Sequence, residues 1–459
     1  MTSNKRHPSS FRDPSGYVFK DQNVFKRVIN PIYFRQYRSL KDSGFFKKLF
    51  QNKLLISHTE DQSNDSEIVI VPEHIPFITY PYEWSFLQYK EAALLTLKIQ
   101  KYALEHGYSL KDASAFNVTF HNSQAIFIDT LSFDFYIEDQ PWRAYKQFIA
   151  HFLGPLLLAQ YHGTQSLKLL SSFIDGMPMR QLASMLPFKT KLNPFLYSNV
   201  HLLAKFEENY NDDYEGNIKQ TKLSKKAQLN IIKSLYDFIK KMSLKEQSEW
   251  GDYYSKTNYS DTAFKTKSEV INRWVNSIKP KTLIDIGGND GTFVRLLNNE
   301  LEQALVCDID NNAVDCNYKI TKTNNEAYML PFVLDILNPS ANIGFNNEER
   351  TSFLNRIEEY APDITLALAV IHHITLSGNV TFDMSAEFFA NFSRNLIIEF
   401  PKPDDSWALR LLNTKGEFRN HFDFYNEENF EKAYLKKFYL VEKIDIPNSK
   451  RVMYSFKRK

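Results

Sequence analysis

The stretch that decides the fold is TLIDIGGNDGTF, residues 282–293. It begins with an apolar run that carries an acid, Asp285, near its end. A glycine turn over residues 287–291 follows at once, and Phe293 begins a helical spacing of apolar residues. This is the strand, tight turn and helix that open a parallel α/β sheet, where ligands bind beyond the carboxyl ends of the strands. Only 14 glycines occur in 459 residues, so three of them within one short turn predict close approach of a ligand to the backbone.

The rest of the C-terminal half alternates between apolar runs and helical patterns. We expect strands at residues 282–286, 304–308, 329–335, 363–370, 395–400, 439–445 and 451–456. A short polar link at residues 447–449 joins the last two strands, so they are predicted to be antiparallel. The sequence therefore predicts a Rossmann-like α/β domain with a seven-stranded sheet over residues 246–459.

Acids close two further strands of this domain. Asp308 follows Asp285 by 23 residues at the end of the second strand, and Asp335 ends the third. The glycine turn, with Gly287, Asn289 and Gly291, resembles the first motif of class I SAM-dependent methyltransferases. It lacks the second glycine of a dinucleotide site, because Asn289 stands there. The resemblance implies S-adenosyl-L-methionine (SAM) as cofactor, with Asp285 facing the methionine moiety, Asp308 the ribose and Asp335 the adenine.

Two histidines, His372 and His373, end the fourth strand. An enzyme that transfers a methyl group mainly positions the acceptor, and a base can remove the proton of a hydroxyl acceptor. Histidine has a suitable pKa, so either residue is a candidate catalytic base, the alternative being a histidine packed at a helix start. The Pro-Pro signature of amino-methylating nucleic-acid enzymes and the cysteine nucleophile of C5 methylation are both missing at this position, so no specific nucleic-acid substrate is expected.

Composition restricts the class of protein. A formal net charge of +2 gives no global field for nucleic acid, although the first sixty residues carry twelve Lys/Arg against four Asp/Glu. Two cysteines exclude a disulfide framework and a cysteine zinc site, so we expect no metal centre there and a cytoplasmic location. The longest apolar run, residues 148–159, is too short to span a bilayer, so no membrane span is expected.

The N-terminal half is predicted to hold a flexible tail, residues 1–15, and an α+β domain, residues 16–245. Two strands are expected around a polar turn at residues 21–23, a charged loop at residues 59–67 and a long helix at residues 86–105. Beyond residue 141 the pattern is mostly helical, with an exposed loop at residues 211–226.

One group of residues in this half has the spacing of a phosphotransferase. Asp112 precedes Asn117 by five residues, and Asp129 follows twelve residues later after a predicted hairpin. In kinase-like enzymes one carboxylate lies near the acceptor hydroxyl, and an Asn and a second Asp hold magnesium on ATP. The glycine-rich loop and the residues that flank such motifs are missing. The domain is therefore either kinase-like, with ATP and magnesium as its ligands, or a substrate-binding domain in which these are turn residues.

The whole chain resembles bacterial methyltransferases similar to the host-specificity nodulation methyltransferases. The matching segments are residues 109–117, 127–133, 140–142, 285–293, 371–373, 398–400 and 449–451. The resemblance implies O-methylation of a glycan or small-molecule acceptor. Two alternatives stay open at this point: a bifunctional phosphotransferase and methyltransferase, and a SAM-binding module without catalysis whose kinase-like lobe binds a partner.

Overall fold

The computed structural model describes residues 6–22, 24–210, 222–244, 261–298 and 300–459. The chain forms two compact units. The first comprises Met1–Glu246 with Asn342–Thr351, and the second comprises Gln247–Ala341 with Ser352–Lys459. The predicted boundary at residue 245 lies among residues 245–260, outside the described residues. The prediction of one uninterrupted C-terminal domain is wrong for Asn342–Thr351, which belongs to the first unit.

A four-stranded antiparallel sheet opens the first unit, in the order β1-β2-β4-β3. Its strands are β1 (Gly16–Asp21), β2 (Val24–Ile29), β3 (His58–Ser63) and β4 (Ile68–Pro72). The predicted charged loop at residues 59–67 is wrong for its first half, because β3 is a strand. This strand lies at the edge of the sheet and is almost entirely exposed, so its sequence, HTEDQS, shows no apolar alternation.

Two small antiparallel ladders follow in the first unit. β5 (Tyr108–Leu110) pairs with β8 (Phe133–Phe135), and β6 (Val118–His121) forms the predicted hairpin with β7 (Gln124–Phe127). Its α-helices are α1 (Phe34–Asp42), α2 (Phe45–Gln51), α3 (Phe86–Glu105), α4 (Tyr145–Phe148), α5 (Gly154–His162), α6 (Met179–Met185), α7 (Pro194–Leu196), α8 (Leu202–Tyr210) and α9 (Lys225–Lys241). The unit is thus α+β.

The N-terminal residues 6–15 are not the loose tail that the sequence predicted. Arg6 forms a β-bridge with Phe19, and the His7 amide donates to the Val18 carbonyl at 2.7 Å. Arg12 forms an ion pair at 2.7 Å with Glu349, whose side chain is 1% exposed. Both residues belong to the first unit, so the polar N-terminal segment is held by hydrogen bonds and charge rather than by apolar burial.

The second unit contains one seven-stranded sheet in the order β11-β10-β9-β12-β13-β15-β14. Its strands are β9 (Thr282–Ile286), β10 (Gln303–Asp308), β11 (Met329–Val333), β12 (Ile364–Ala367), β13 (Asn395–Pro401), β14 (Phe438–Asp445) and β15 (Arg451–Arg458). The first five strands pair in parallel, and β15 pairs antiparallel with both β13 and β14. All seven predicted strands are present, and the predicted closing hairpin is confirmed. Numbered within the unit the order is 3-2-1-4-5-7-6, so the direction of winding reverses between β9 and β12.

Helices connect and cover this sheet. They are α10 (Asp261–Ile278), α11 (Thr292–Arg295), α12 (Asn311–Asn324), α13 (Phe353–Tyr360), α14 (Phe382–Phe392), α15 (Ser406–Asn413) and α16 (Glu427–Tyr434). The apolar face of α10 buries Val270, Ile271 and Trp274 in one cluster with Leu283 of β9. Because β9 is covered on its faces, its carboxyl end and the following turn are fixed in place. Among the described helices, none is long and apolar enough to cross a membrane.

Candidate functional site

The turn after β9 lies where the winding of the sheet reverses, which is where ligands bind in open α/β sheets. The amides of Gly287 and Gly288 donate to the Cys307 carbonyl of β10, at 2.8 and 3.0 Å. Gly287 and Gly291 have φ of +72° and +79°, which side chains rarely adopt. A Cβ on Gly287 would also lie 2.6 Å from Val370, so no larger residue fits without displacement.

Asp285 is the buried acid of this turn, with 1% of its surface exposed. Its Oδ1 has no hydrogen-bond partner among the described residues. Burial raises the pKa of Asp285 to about 7, and the charges of Asp308 and Asp290 act in the same direction, while Lys267 opposes them. A buried carboxylate with a free oxygen is costly unless a cation reaches it. Asp285 is therefore placed to receive a cationic ligand.

Asp308 and Asp335 lie at the same edge of the sheet as Asp285. Asp308, the last residue of β10, accepts from the Asn289 amide at 3.0 Å, which ties the second strand to the turn. Burial raises the pKa of Asp308 to about 6. Asp335 lies two residues beyond the end of β11, and its Oδ1 accepts from the Leu337 amide at 3.0 Å. The three acids thus border one edge, as the strand pattern predicted.

His372 and His373 follow β12, on the other side of the reversal point, and introduce a π-helical turn, His373–Ser377. Their ring centroids are 4.1 Å apart. Burial lowers the pKa of His372 well below its usual value, with the charges of His373 and Arg451 adding to the effect. Burial and Arg451 also lower the pKa of His373. Both rings are neutral near pH 7, and His373 is the more accessible of the two.

A buried charge network was missed by the sequence interpretation. Lys267 of α10 forms an ion pair at 2.8 Å with Glu399 of β13, and the two side chains are 2% and 0% exposed. Arg451 lies 3.7 Å from Glu399 and donates to Asp405 at 3.0 Å. The spacing in α10 could have predicted that Lys267 is buried. Lys267 lies four residues after Ala263 and four residues before Ile271, on the apolar face of the helix.

A second network holds the turn from the side of α12. Arg295 donates through Nε to both carboxylate oxygens of Glu326, at 3.0 and 2.9 Å, and through Nη2 to Asn317 at 2.7 Å and Thr321 at 2.9 Å. Its Nη1 donates to the Asp290 carbonyl within the turn. One guanidinium therefore fixes the turn to α12.

The first unit brings together the three residues whose spacing resembles a phosphotransferase. The side chain of Asn117 hydrogen-bonds Asp112, and its Nδ2 donates to Ser132 at 3.2 Å. Ser132 in turn donates to Asp129. Burial raises the pKa of Asp112, and the nearby charge of Asp129 adds to this.

Asp129 already has a cationic partner in Arg27 of β2. Burial alone would raise the pKa of Asp129, but the Arg27 charge and the hydrogen bond from Ser132 outweigh it and lower the pKa. No group of three His, Cys, Asp or Glu residues able to hold a metal occurs in the described part of the chain. The cluster is therefore an ion-paired polar group, and its geometry gives no support to a magnesium site.

The strand order defines the class of the second unit, which has the Rossmann-like fold that class I SAM-dependent methyltransferases share. No protein-family model matches the sequence. The chain is 31% identical over 466 aligned residues to the nodulation protein NoeA of Rhizobium meliloti strain 1021, covering 99% of this chain and 96% of that one. It belongs to the family of this nodulation protein.

Solved structures of methyltransferases align with less than half of the chain. The N-methyltransferase NodS of Bradyrhizobium japonicum WM9 is 12% identical and aligns over 43% of this chain and 98% of its own, with a TM-score of 0.32. Magnesium protoporphyrin IX methyltransferase of Synechocystis PCC 6803, with bound S-adenosylhomocysteine, is 11% identical over 45% of this chain and 91% of its own, with a TM-score of 0.30.

Proposed function

We propose that the protein transfers a methyl group from SAM to an oxygen of a glycan or small-molecule acceptor. The observation that carries the proposal is the free oxygen of Asp285, buried beside the glycine turn at the point where the winding of the sheet reverses. SAM is cationic at its sulfonium and ammonium groups, so it supplies the charge that this carboxylate lacks. Asp308 and Asp335 are the proposed contacts of the ribose and the adenine, and Gly287, Asn289 and Gly291 line the turn.

SAM supplies a methyl group that is open to in-line displacement. In the proposed reaction an acceptor oxygen bonds to the methyl carbon, and the carbon–sulfur bond breaks with its electron pair remaining on sulfur. His373 or His372 takes the hydroxyl proton, since both rings are neutral near pH 7. The two histidines differ in accessibility, so replacing each by Asn distinguishes the catalytic base from a packed neighbour.

The first unit is proposed to bind and present the acceptor. Its Asp112, Asn117 and Asp129 form one polar cluster that is stabilised by Arg27, and such a cluster suits hydroxyl-rich ligands. A phosphotransferase role for the same residues would require magnesium to displace Arg27. Phosphoryl transfer from ATP that is abolished in Asp129→Ala would favour the bifunctional alternative. The presence of only two cysteines, Cys307 and Cys316, fits the proposed cytoplasmic location.

Titration calorimetry of the full chain with SAM tests the cofactor. We expect binding by the parent protein and its loss in Asp285→Asn, which keeps the shape of the side chain but removes its charge. Asp383→Asn is the control, because Asp383 is 61% exposed and pairs with Lys436 on the surface. If the parent protein gives no heat of binding at millimolar SAM, the proposal that it binds SAM is wrong. Mass spectrometry of extracts from cells with and without the gene then identifies the acceptor through its missing methyl group.

A further inference from the structure

One stretch of the first unit combines exposed apolar side chains with an unbroken positive charge. Residues 176–206, called the basic segment below, contain Arg180, Lys189, Lys191 and Lys205 and no Asp or Glu. Within it the turn Phe188–Leu192 carries Phe188 and Leu192 at its two ends, 71% and 73% exposed. Large apolar side chains that are exposed to this extent beside cations are typical of surfaces that bind a membrane or another protein.

The exposed residues stand on a fixed base. The Thr190 hydroxyl, in the middle of the turn, donates to the Pro187 carbonyl at 2.7 Å and is 2.8 Å from Nε2 of His201. Thr190 is 1% exposed and His201 is 4% exposed. Because the buried Thr190 fixes the centre of the turn, the fold holds the side chains of Phe188 and Leu192 on the surface.

The lysines lie beside the exposed rings. Lys191 is 5.7 Å from the Phe188 ring centroid, and Lys205 is 5.5 Å from that of Tyr197. An aromatic ring and a lysine side by side match the boundary of a bilayer, where the ring enters the headgroup region and the ammonium meets phosphate.

A neighbouring helix extends the positive charge. Phe195 of the basic segment stacks on Phe238 of α9, with ring centroids 4.1 Å apart. Residues 222–244 around this helix contain one acid, Asp237, and six lysines: Lys222, Lys225, Lys226, Lys233, Lys240 and Lys241. Five acids lie between the basic segment and residue 222. Glu207, which pairs with Lys146, and Glu208 directly follow the basic segment, and Asp212, Asp213 and Glu215 are outside the described residues.

We propose that the basic segment docks the protein on a membrane surface that carries anionic phospholipids. Phe188 and Leu192 enter the headgroup region, while Lys189 and Lys191 pair with lipid phosphates. A purely electrostatic partner, such as nucleic acid, explains the lysines but gives Leu192 nothing to bury against. This inference is independent of the proposed methyl transfer, because it concerns residues of the first unit only.

Flotation of the full chain with vesicles tests the proposal. One set of vesicles is phosphatidylcholine alone, and the other contains added phosphatidylglycerol. We expect binding to the anionic set only, weakened by salt. Lys189→Gln/Lys191→Gln should weaken it roughly 25-fold, since each lysine near an anionic surface contributes about fivefold. Phe188→Ser/Leu192→Ser should weaken it at least about tenfold through the lost apolar contact.

Matched controls lie in the same unit. Lys47→Gln/Lys48→Gln removes two exposed lysines of α2, and Ile137→Ser removes an apolar side chain that is 57% exposed. Neither control should change vesicle binding. Equal binding to both vesicle sets, or equal loss in the control lysine pair, would overturn the proposal. So would a dimer, detected by ultracentrifugation, that the Phe188/Leu192 variant abolishes while vesicles are not bound. Calorimetry with SAM on the same variants reports the methyltransferase site separately.

Discussion

At the scale of the residue, Asp285 couples stability to pH. Its pKa is raised by burial from 3.8 to about 7, so between these values the folded protein holds a proton that the unfolded chain has released. The free energy of unfolding therefore falls as pH rises through this window, by an amount on the order of 4 kcal/mol for a fully buried group. Asp308, with its pKa raised to about 6, acts in the same direction.

Urea unfolding at pH 5 and pH 7.5 measures this effect. We expect Asp285→Asn to show a clearly smaller difference between the two pH values than the parent protein, because Asn carries no ionisable proton. Lys267, Asp290, Asp308 and Cys307 are the titratable groups whose charges interact with Asp285, and all remain in the variant. An unchanged pH dependence would show that Asp285 does not titrate in this range. Bound SAM should reverse the trend, since its positive charge favours the ionised acid.

Lys267 gives a second prediction at this scale. Lys267→Met removes the ion-pair partner that lies 2.8 Å from the buried Glu399, and we expect a loss of roughly 3 kcal/mol in the free energy of unfolding. Lys265→Met on the same helix is the control, because Lys265 is 80% exposed, and its stability should be unchanged.

The double variant Lys267→Met/Glu399→Met tests whether the loss of stability comes from the broken ion pair or from another contact of Lys267. It removes both members of the buried pair and leaves Arg451 paired with Asp405, so most of the lost stability should return. Denaturant unfolding measures the free energy of unfolding of the parent protein, Lys267→Met, Lys265→Met and the double variant. If the double variant is as unstable as Lys267→Met, then the lost contact between the Lys267 ammonium and the Phe293 ring, rather than the lost ion pair with Glu399, explains the lower stability.

At the scale of the element, the glycine turn depends on α12 through Arg295. Arg295→Met keeps an unbranched apolar stem but removes the donors to Glu326, Asn317, Thr321 and the Asp290 carbonyl. We expect SAM affinity to fall by at least about tenfold while the sheet remains folded, because the turn loses its anchor but β9 keeps its pairing. Calorimetry measures the affinity, and circular dichroism reports the fold.

Arg273→Met is the matched control for this element. Arg273 is 57% exposed and pairs with Glu442 on the surface of the second unit. It should leave SAM affinity unchanged. Equal affinity in Arg295→Met and the parent protein would mean that the turn is held by its hydrogen bonds to β10 alone.

At the scale of the whole molecule, the segment Asn342–Thr351 lies in the C-terminal half of the sequence but belongs to the first unit. Glu349 pairs with Arg12, and Arg350 lies 4.6 Å from the Phe116 ring centroid. A truncated chain of residues 247–459 lacks both partners. We therefore expect a protease to cut it within residues 342–351, where the full chain resists.

Mass spectrometry of the fragments locates the cut. The loop beyond β11 at residues 334–338 lies in the second unit and serves as the internal reference, because its cleavage should be equal in both chains. Resistance of residues 342–351 in the truncated chain would mean that this segment is ordered without the first unit.

Local patterns in the sequence determined a large part of this protein. Alternating apolar runs and turns determined the seven strands of the second unit, and the residues of the glycine turn determined its positive φ values. The positions of Asp285, Asp308 and Asp335 were predictable for the same reason, since each lies within two residues of the end of a strand. These features depend on residues close together in the chain, and local propensity reports them.

Only the tertiary structure decided the rest. The pair of Lys267 and Glu399 joins residues 132 positions apart, and Arg27 meets Asp129 across 102 positions. β3 is a strand because it pairs with β4 at the edge of the sheet. Asn342–Thr351 belongs to the first unit, where Glu349 pairs with Arg12. Such contacts depend on which elements pack together, so they cannot be predicted from a single stretch of the sequence. The physical reason is that burial and pairing are properties of the folded neighbourhood, whereas periodicity is a property of the chain.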